Sequence, residues 1–313
     1  MEYFGHKYPE YKPVLPSKII STLSSFSYER QLPSHGLSAD QISYTLKQFD
    51  FGVRLYSTKD YPKEMRSIFF DYIESGIPFI ATIQNKNIGH AITVFGRENF
   101  TDESFDTIGN DKIINLKNGI EIVDFSLLKR KYLAMDDNYP PYQLADFDDP
   151  TSYYSENSPF RDATITSIIV PLYTKIYLEA FQARNLAYYI CEALPSEDFP
   201  QQVFLRLFLT SSRSYKNYVS QSTSIHISAK NEIVETNMPK FIWVAELSTK
   251  EHFKDRKSIG MIVLDATEAN DYVLESLLFI GINDKIIKFG AEGIQSSSVQ
   301  LNNFNSYNNL EGV

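Results

Sequence analysis

Gly76-Ile77-Pro78-Phe79-Ile80-Ala81-Thr82-Ile83, followed after a polar turn by Gly89-His90-Ala91-Ile92-Thr93-Val94-Phe95-Gly96, is the stretch on which the reading of this chain turns. Two short apolar runs joined by residues 84–88 predict a β-hairpin, with His90 at the mouth of its second strand. A histidine so placed, with glycine before it and small or apolar residues after it, is held rigidly and can present one ring nitrogen to a cleft. That placement suits a general base. No cysteine precedes it, and the single cysteine of the chain, Cys191, lies far downstream.

Outward from the hairpin, Leu37, Ile42, Leu46 and Phe49 recur at helical spacing behind Ser38, an N-cap with Gln41 three residues later, which predicts a helix over 38–49. A second helix is expected over 62–75, with Pro62 in its first turn, Met65, Ile68, Phe69, Tyr72 and Ile73 on one side, and Gly76 as its stop. The charged, Asn/Asp-rich residues 97–118 read as a surface excursion. Strand signals resume at 120–123 and at 131–135, the latter running into Asp136-Asp137-Asn138-Tyr139-Pro140-Pro141-Tyr142. Residues 143–161 are rich in Asp, Ser, Tyr and Pro with little periodicity, so the domain boundary is expected there. Beyond it come a β-branched run over 163–170, a helical stretch over 174–193, an ambiguous run at 205–209 and strands at 241–247, 260–267 and 285–289. The fold class expected is α+β, with one domain over 1–150 and a second α+β domain over 160–300.

Composition bounds the partners. A length of 313 residues fits two domains, and an apolar fraction of 43% with 22 Phe and 21 Tyr supplies their cores. The Asn-rich end over 301–309 is expected to fray. A net charge of −9 disfavours a phosphate backbone or an anionic membrane surface, and Lys129-Arg130-Lys131 reads as a solvated strand entry. One cysteine makes no internal disulfide, residues 1–16 lack the pattern of a signal peptide, and no window approaches a membrane span. A soluble, cytoplasmic protein without nucleic-acid or membrane partners is the expectation.

To act on a thiol, His90 needs an acceptor that fixes its tautomer. Asp136, Asp137 and Asn138 follow a strand that could deliver one, although all three are also ordinary turn formers. The plain alternative for His90 is a core histidine bonded to a backbone carbonyl. His35 reads as a turn residue; His6, His226 and His252 have no partner at metal-ligand spacing, so neither a metal nor a cofactor is expected. Cys191, beside Leu186, Tyr189 and Ile190, reads as a small buried hydrophobe, with a reactive pairing to His226 or His252 as the lesser alternative. Neither GxGxxG nor GxxxxGK[ST] occurs. Arg206, Arg213, Lys216 and Lys240 with Tyr215, Tyr218 and Trp243 either line a groove or, the favoured reading, are solvated charges around an aromatic core. Asp265 and Thr267 mark a turn or a site.

The run Arg30-Gln31-Leu32-Pro33-Ser34-His35-Gly36-Leu37-Ser38, a helix, Ser75-Gly76-Ile77-Pro78 with its strand, Gly89-His90-Ala91 with its strand, and Met135-Asp136-Asp137-Asn138-Tyr139-Pro140-Pro141-Tyr142, in that order, resemble the papain-like peptidase fold of the bacteriocin-processing C39-like group. The resemblance spans residues 28–145. It implies a papain-like domain with an antiparallel sheet, His90 as catalytic base, Asp136 as orienting acid with Asp137 as fallback, a peptide or protein as substrate or ligand, and no cofactor. The family's nucleophilic cysteine, carried with a glutamine on its first helix, has no counterpart ahead of His90, where no nucleophile helix is evident. Ser24, Ser25 and Ser27 offer hydroxyls without a nucleophile-elbow context. Either that first helix lies ahead of Met1 and the chain is a piece of a thiol peptidase cleaving amide bonds, or the chain is a pseudoenzyme whose cleft binds peptide. The competing expectation is a non-catalytic interaction or structural module with a vestigial cleft.

Overall fold

The computed structural model describes residues 14–24, 36–86, 88–100, 104–105, 108–109, 112–268, 273–290, 293–301 and 303–307. The expectations about His6, Ser25, Ser27, the run from Arg30 to His35, and the Asn-rich end beyond Tyr307 lie outside the described residues. The fold is α+β. In chain order its elements are α1 (Pro16–Ser24), α2 (Ala39–Lys47), β1 (Phe51–Ser57), α3 (Met65–Glu74), β2 (Phe79–Asn85), β3 (Ile88–Arg97), β4 (Ile113–Asn115), β5 (Glu121–Asp124), β6 (Lys131–Met135), β7 (Gln143–Asp146) and β8 (Thr164–Tyr173). There follow α4 (Ala180–Ala193), β9 (Gln202–Ser211), α5 (Ser212–Gln221), α6 (Ile227–Glu235), β10 (Phe241–Ser248), α7 (Lys250–Lys254), β11 (Lys257–Ser258), β12 (Gly260–Asp265), β13 (Leu277–Ile282), β14 (Lys285–Gly290), β15 (Gly293–Ser298) and β16 (Phe304–Asn305).

These elements form two compact units that are interleaved in sequence. The first takes Met1–Met65, Ile77–Arg97 and Lys131–Thr174; the second takes Arg66–Gly76, Glu98–Arg130 and Lys175–Val313. A consecutive cut near residues 143–161 therefore differs from the grouping of the elements. Helix α3 shows why: Ile68, Phe69, Phe70, Tyr72 and Ile73 are all buried, more than one face of a helix, so it is core material of the second unit.

The first unit is built on a six-stranded antiparallel sheet in the order β1-β8-β2-β3-β6-β7. Alternate residues Phe79, Ala81 and Ile83 of β2 are buried, and the register pairs them with Val94, Ile92 and His90 of β3. Directly paired residues share a face, so His90 sits at the end of the same row as the core residues Ile92 and Val94. Strand β6 joins β3 through Thr93↔Met135 and Val94↔Ala134. One step beyond Met135, the pleat brings Asp136 back to the face of Ala134 and hence of His90.

Strand β1, which the sequence reading left unassigned, pairs along its whole length with β8. Helix α2 carries the expected capping box: the Gln41 N–H donates to Ser38 Oγ at 3.2 Å and the Ser38 N–H to Gln41 Oε1 at 2.9 Å. Helix α1, which the sequence pattern did not mark, precedes this region. It opens on Pro16, whose missing N–H costs nothing in a first turn, and the Leu15 carbonyl accepts from Lys18 and Ile19. It carries no cysteine.

The second unit contains an eight-stranded sheet ordered β15-β14-β13-β12-β10-β9-β5-β4, antiparallel except for the parallel pair β5 and β9. All of β10 is buried, which accounts for its continuous rather than alternating apolar pattern. The ambiguous run at 205–209 is the middle of β9, and the helix expected over 174–193 starts only at Ala180, because the backbone N–H groups of Tyr177 and Leu178 donate to Ala266 before the turn begins.

Three surface expectations are corrected in this unit. The excursion over 97–118 buries Phe105 and Leu116 and packs Phe100 at a tilt against Phe125 and edge-to-face against Phe253. Arg130, read as a solvated strand entry, is buried with its guanidinium among the rings of Phe70, Phe100 and Phe125 and 2.6 Å from Glu74. Arg206 is buried as well, so it neither lines a groove nor sits in solvent, while Tyr215 and Trp243 are buried as an aromatic core requires. The Trp243 indole N–H donates to the Leu178 carbonyl at 2.9 Å. No described helix is long and apolar enough to cross a membrane.

Candidate functional site

In the first unit, His90 Nε2 lies 2.9 Å from Asp136 Oδ1. The same nitrogen is 3.2 Å from Asp137 Oδ1 and 3.3 Å from the Asn138 amide. The three site residues expected from the sequence, His90, Asp136 and Asp137, are thus brought together by two adjacent strands. Their environments differ: the Asp136 side chain is wholly buried, that of His90 is 16% exposed, and that of Asp137 is 85% exposed.

Burial alone would push the Asp136 carboxyl up, yet it is held below the ordinary carboxylate range by hydrogen bonds from the Tyr154 hydroxyl, the Asn138 N–H, His90 and the Tyr153 hydroxyl. The Tyr153 and Tyr154 hydroxyls donate to Oδ2 at 2.8 and 2.6 Å, and the Asn138 N–H donates to Oδ1 at 2.9 Å. Burial, and then the bonds to this carboxylate, push both phenols far above their ordinary range. Asp136 is therefore ionised, acceptor-only and saturated, with two donors on each oxygen. An ionised acceptor requires the proton of neutral His90 on Nε2, which leaves the lone pair on Nδ1. No described residue hydrogen-bonds Nδ1.

The loop between β7 and β8 supplies the clamp. Tyr153 and Tyr154 pack against Tyr139, and Phe160 rests against the imidazole with ring centroids 5.3 Å apart. The sequence reading missed these residues as part of the site because the stretch has no periodicity. Its one signal was the adjacent pair of tyrosines close behind an Asp-Asp-Asn turn. Asn138 does act as a turn residue, since its N–H closes on the Asp136 side chain, and the same bond helps to fix the acid.

His90, Asp136 and Asp137 border a cleft of about 1070 Å³ within the first unit. Leu37, Ser38 and Ile42 from the start of α2 lie along it, as do Ala91, Thr93 and Met135 from β3 and β6. A hydroxyl cluster also lines it: Thr82 Oγ1 is 2.5 Å from Ser167 Oγ and 3.0 Å from Thr166 Oγ1. The volume is large enough for several residues of an extended peptide.

One ligand atom each from His90, Asp136 and Asp137 can be chosen so that all lie within 4.8 Å of one another, a spacing that could hold a metal ion. All four acceptor positions of Asp136 are taken, so an ion would have to displace His90, a tyrosine or the Asn138 N–H from it. The donor set fits an acid that orients an imidazole better than it fits a metal ligand.

The remaining described candidates, Ser24 apart, fall in the second unit. Cys191 is fully buried, and burial pushes its thiol up to about 12, which leaves no thiolate for nucleophilic attack. His226 caps α6 by accepting the Ser228 N–H, and His252 Nδ1 lies 2.8 Å from the Thr249 hydroxyl. Asp265 Oδ1 accepts from both the N–H and the hydroxyl of Thr267, so this pair forms a turn. Ser24 lies in α1. No family model, no curated protein and no solved structure matches this chain.

Proposed function

We propose that the first unit is a papain-like domain of the C39-like kind, serving as a cysteine-peptidase-like cleft that binds peptide without cutting it. The observation that carries this reading is the 2.9 Å bond between His90 Nε2 and a buried, saturated Asp136 at the wall of a cleft. A histidine that serves only to fill a core has no need of an acid held by four donors. In acyl transfer the Nδ1 lone pair would take the proton of an attacking thiol and return it to the leaving amine, while Asp136 held the ring. The single thiol of this chain, at Cys191, is buried and protonated, so the reading for this chain stops at binding.

The test is to titrate the whole chain with a mixture of unstructured peptides, reading binding by fluorescence anisotropy and integrity of the peptides by mass spectrometry. Binding of intact peptides by the native chain, weakened at least about tenfold in Ala91→Trp, is the expected result. Ala91 is exposed on the cleft wall, so the indole fills space without disturbing the core. Binding that is indifferent to Ala91→Trp would favour an interaction module with a vestigial cleft, and cleaved peptides would show an active peptidase.

A further inference from the structure

We infer, resting on the reading of this cleft as a peptide site, that its ligand is a cationic segment: a lysine or arginine flanked by apolar residues. The charged groups along the cleft are unbalanced. Asp136, Asp137 and His90 line it, and no lysine or arginine does so among the described residues. Asp136 is enclosed and its acceptor positions are filled, so it cannot reach a ligand. Asp137 is different: it is 85% exposed, and its only polar partner among the described residues is His90 at 3.2 Å. It presents an open carboxylate at the cleft mouth that Asp136 has made redundant for holding the imidazole.

The surrounding surface suits the same ligand. Tyr139, whose ring packs edge-to-face with Tyr153 and Tyr154, lines the cleft and brings an aromatic ring, the kind of group that attracts cations, to its wall. Met135, at 48% exposure, and Pro141 give apolar area on which the stem of a lysine or arginine, or its apolar neighbours, can lie. An anionic ligand would face the Asp137 charge, and a neutral one would desolvate it in part without compensation. The net charge of −9 adds a long-range field that draws basic segments toward the chain and repels acidic ones.

The experiment uses three labelled peptides of equal length and apolar content that differ only in carrying two lysines, two glutamines or two glutamates. Each is titrated into the whole chain and into Asp137→Asn, at low and at high salt. The lysine peptide is expected to bind about tenfold tighter than the glutamine peptide at low salt, and the difference should shrink at high salt. Asp137→Asn should weaken the lysine peptide about threefold and should not weaken the glutamine peptide, which no longer desolvates a charge there. Equal binding of the lysine and glutamine peptides, with no effect of Asp137→Asn, would overturn the charge preference while leaving the peptide site standing. Failure of all three to bind a folded chain would remove the peptide site, and this inference with it.

Discussion

Asp136 is the residue on which the site depends. Its carboxylate accepts from two phenols, a backbone N–H and an imidazole in a volume closed to water. Asp136→Ala strands those donors and is expected to lower stability by about 2–4 kcal/mol in urea unfolding, because buried unpaired donors carry their full desolvation cost. The pH sign follows from the lowered native pKa: the contribution of Asp136 is complete above the ordinary carboxylate range and is lost as pH falls through the native value. Asp136→Asn should therefore flatten the acid limb of a stability profile, and an unchanged limb would mean that the four bonds do not hold the ionised form. Gly89 offers a contrasting case. A Cβ built there meets only the Ile83 carbonyl oxygen, at 3.9 Å, so Gly89→Ala should leave the melting temperature within a degree or two while narrowing the cleft beside His90. At this scale the sequence showed His90 on a strand and an Asp-Asp-Asn turn that could supply its acceptor, and the order of the motifs in the resemblance singled out Asp136. Tyr153 and Tyr154 were not legible, because a loop reaches its target through a path that no spacing rule encodes.

Among the elements, the β2–β3 hairpin and α2 were legible for local reasons: apolar alternation, a capping residue and its partner three positions on. Ser38→Ala removes the acceptor for the Gln41 N–H and should cost about 1 kcal/mol, measurable in the denaturation midpoint. Helix α3 ends at Gly76 with φ +65°, a left-handed residue that stops the helix and aims the chain into β2. Gly76→Ala should cost about 1–2 kcal/mol, because a Cβ is strained in that conformation, and a neutral outcome would contradict this account of the stop. Strand β1 was missed although its Phe51, Val53 and Tyr56 are buried, because Arg54 and Gly52 interrupt the apolar signal. Gly52 is required by closeness: a Cβ there would lie 2.7 Å from the Tyr173 carbonyl oxygen of the paired strand. The pairing partner, more than a hundred positions away, sets that residue, and a local pattern cannot show it.

Across the whole molecule, what composition could not reveal is the interleaving of the two units and the charge enclosed in the second. Asp71 and Asp124 both pair with Arg184, and all three are buried; Arg130 pairs with Glu74, and Arg206 lies between Glu74 and Glu246. Such groups read as solvated charge in a sequence, since burial is a property of the assembled fold. Burial pushes the Asp71 carboxyl up to about 7, against the opposing pull of Arg184. A raised native pKa means that the folded chain binds the extra proton, so this contribution is complete below the ordinary carboxylate range and is lost as pH rises through about 7. Asp71→Asn should remove that loss from the urea midpoint measured over the same window. Arg130→Met leaves Glu74 without its closest cation and should cost about 3–5 kcal/mol.

The most direct test of the central claim, an imidazole oriented by Asp136 with its lone pair left for the cleft, is the nitrogen-15 spectrum of His90 in its neutral form, assigned by comparison with His90→Gln. The account predicts the proton on Nε2 and the lone pair on Nδ1, with that preference weakened in Asp136→Asn. A proton on Nδ1, with Nε2 bare toward a carboxylate, would contradict it.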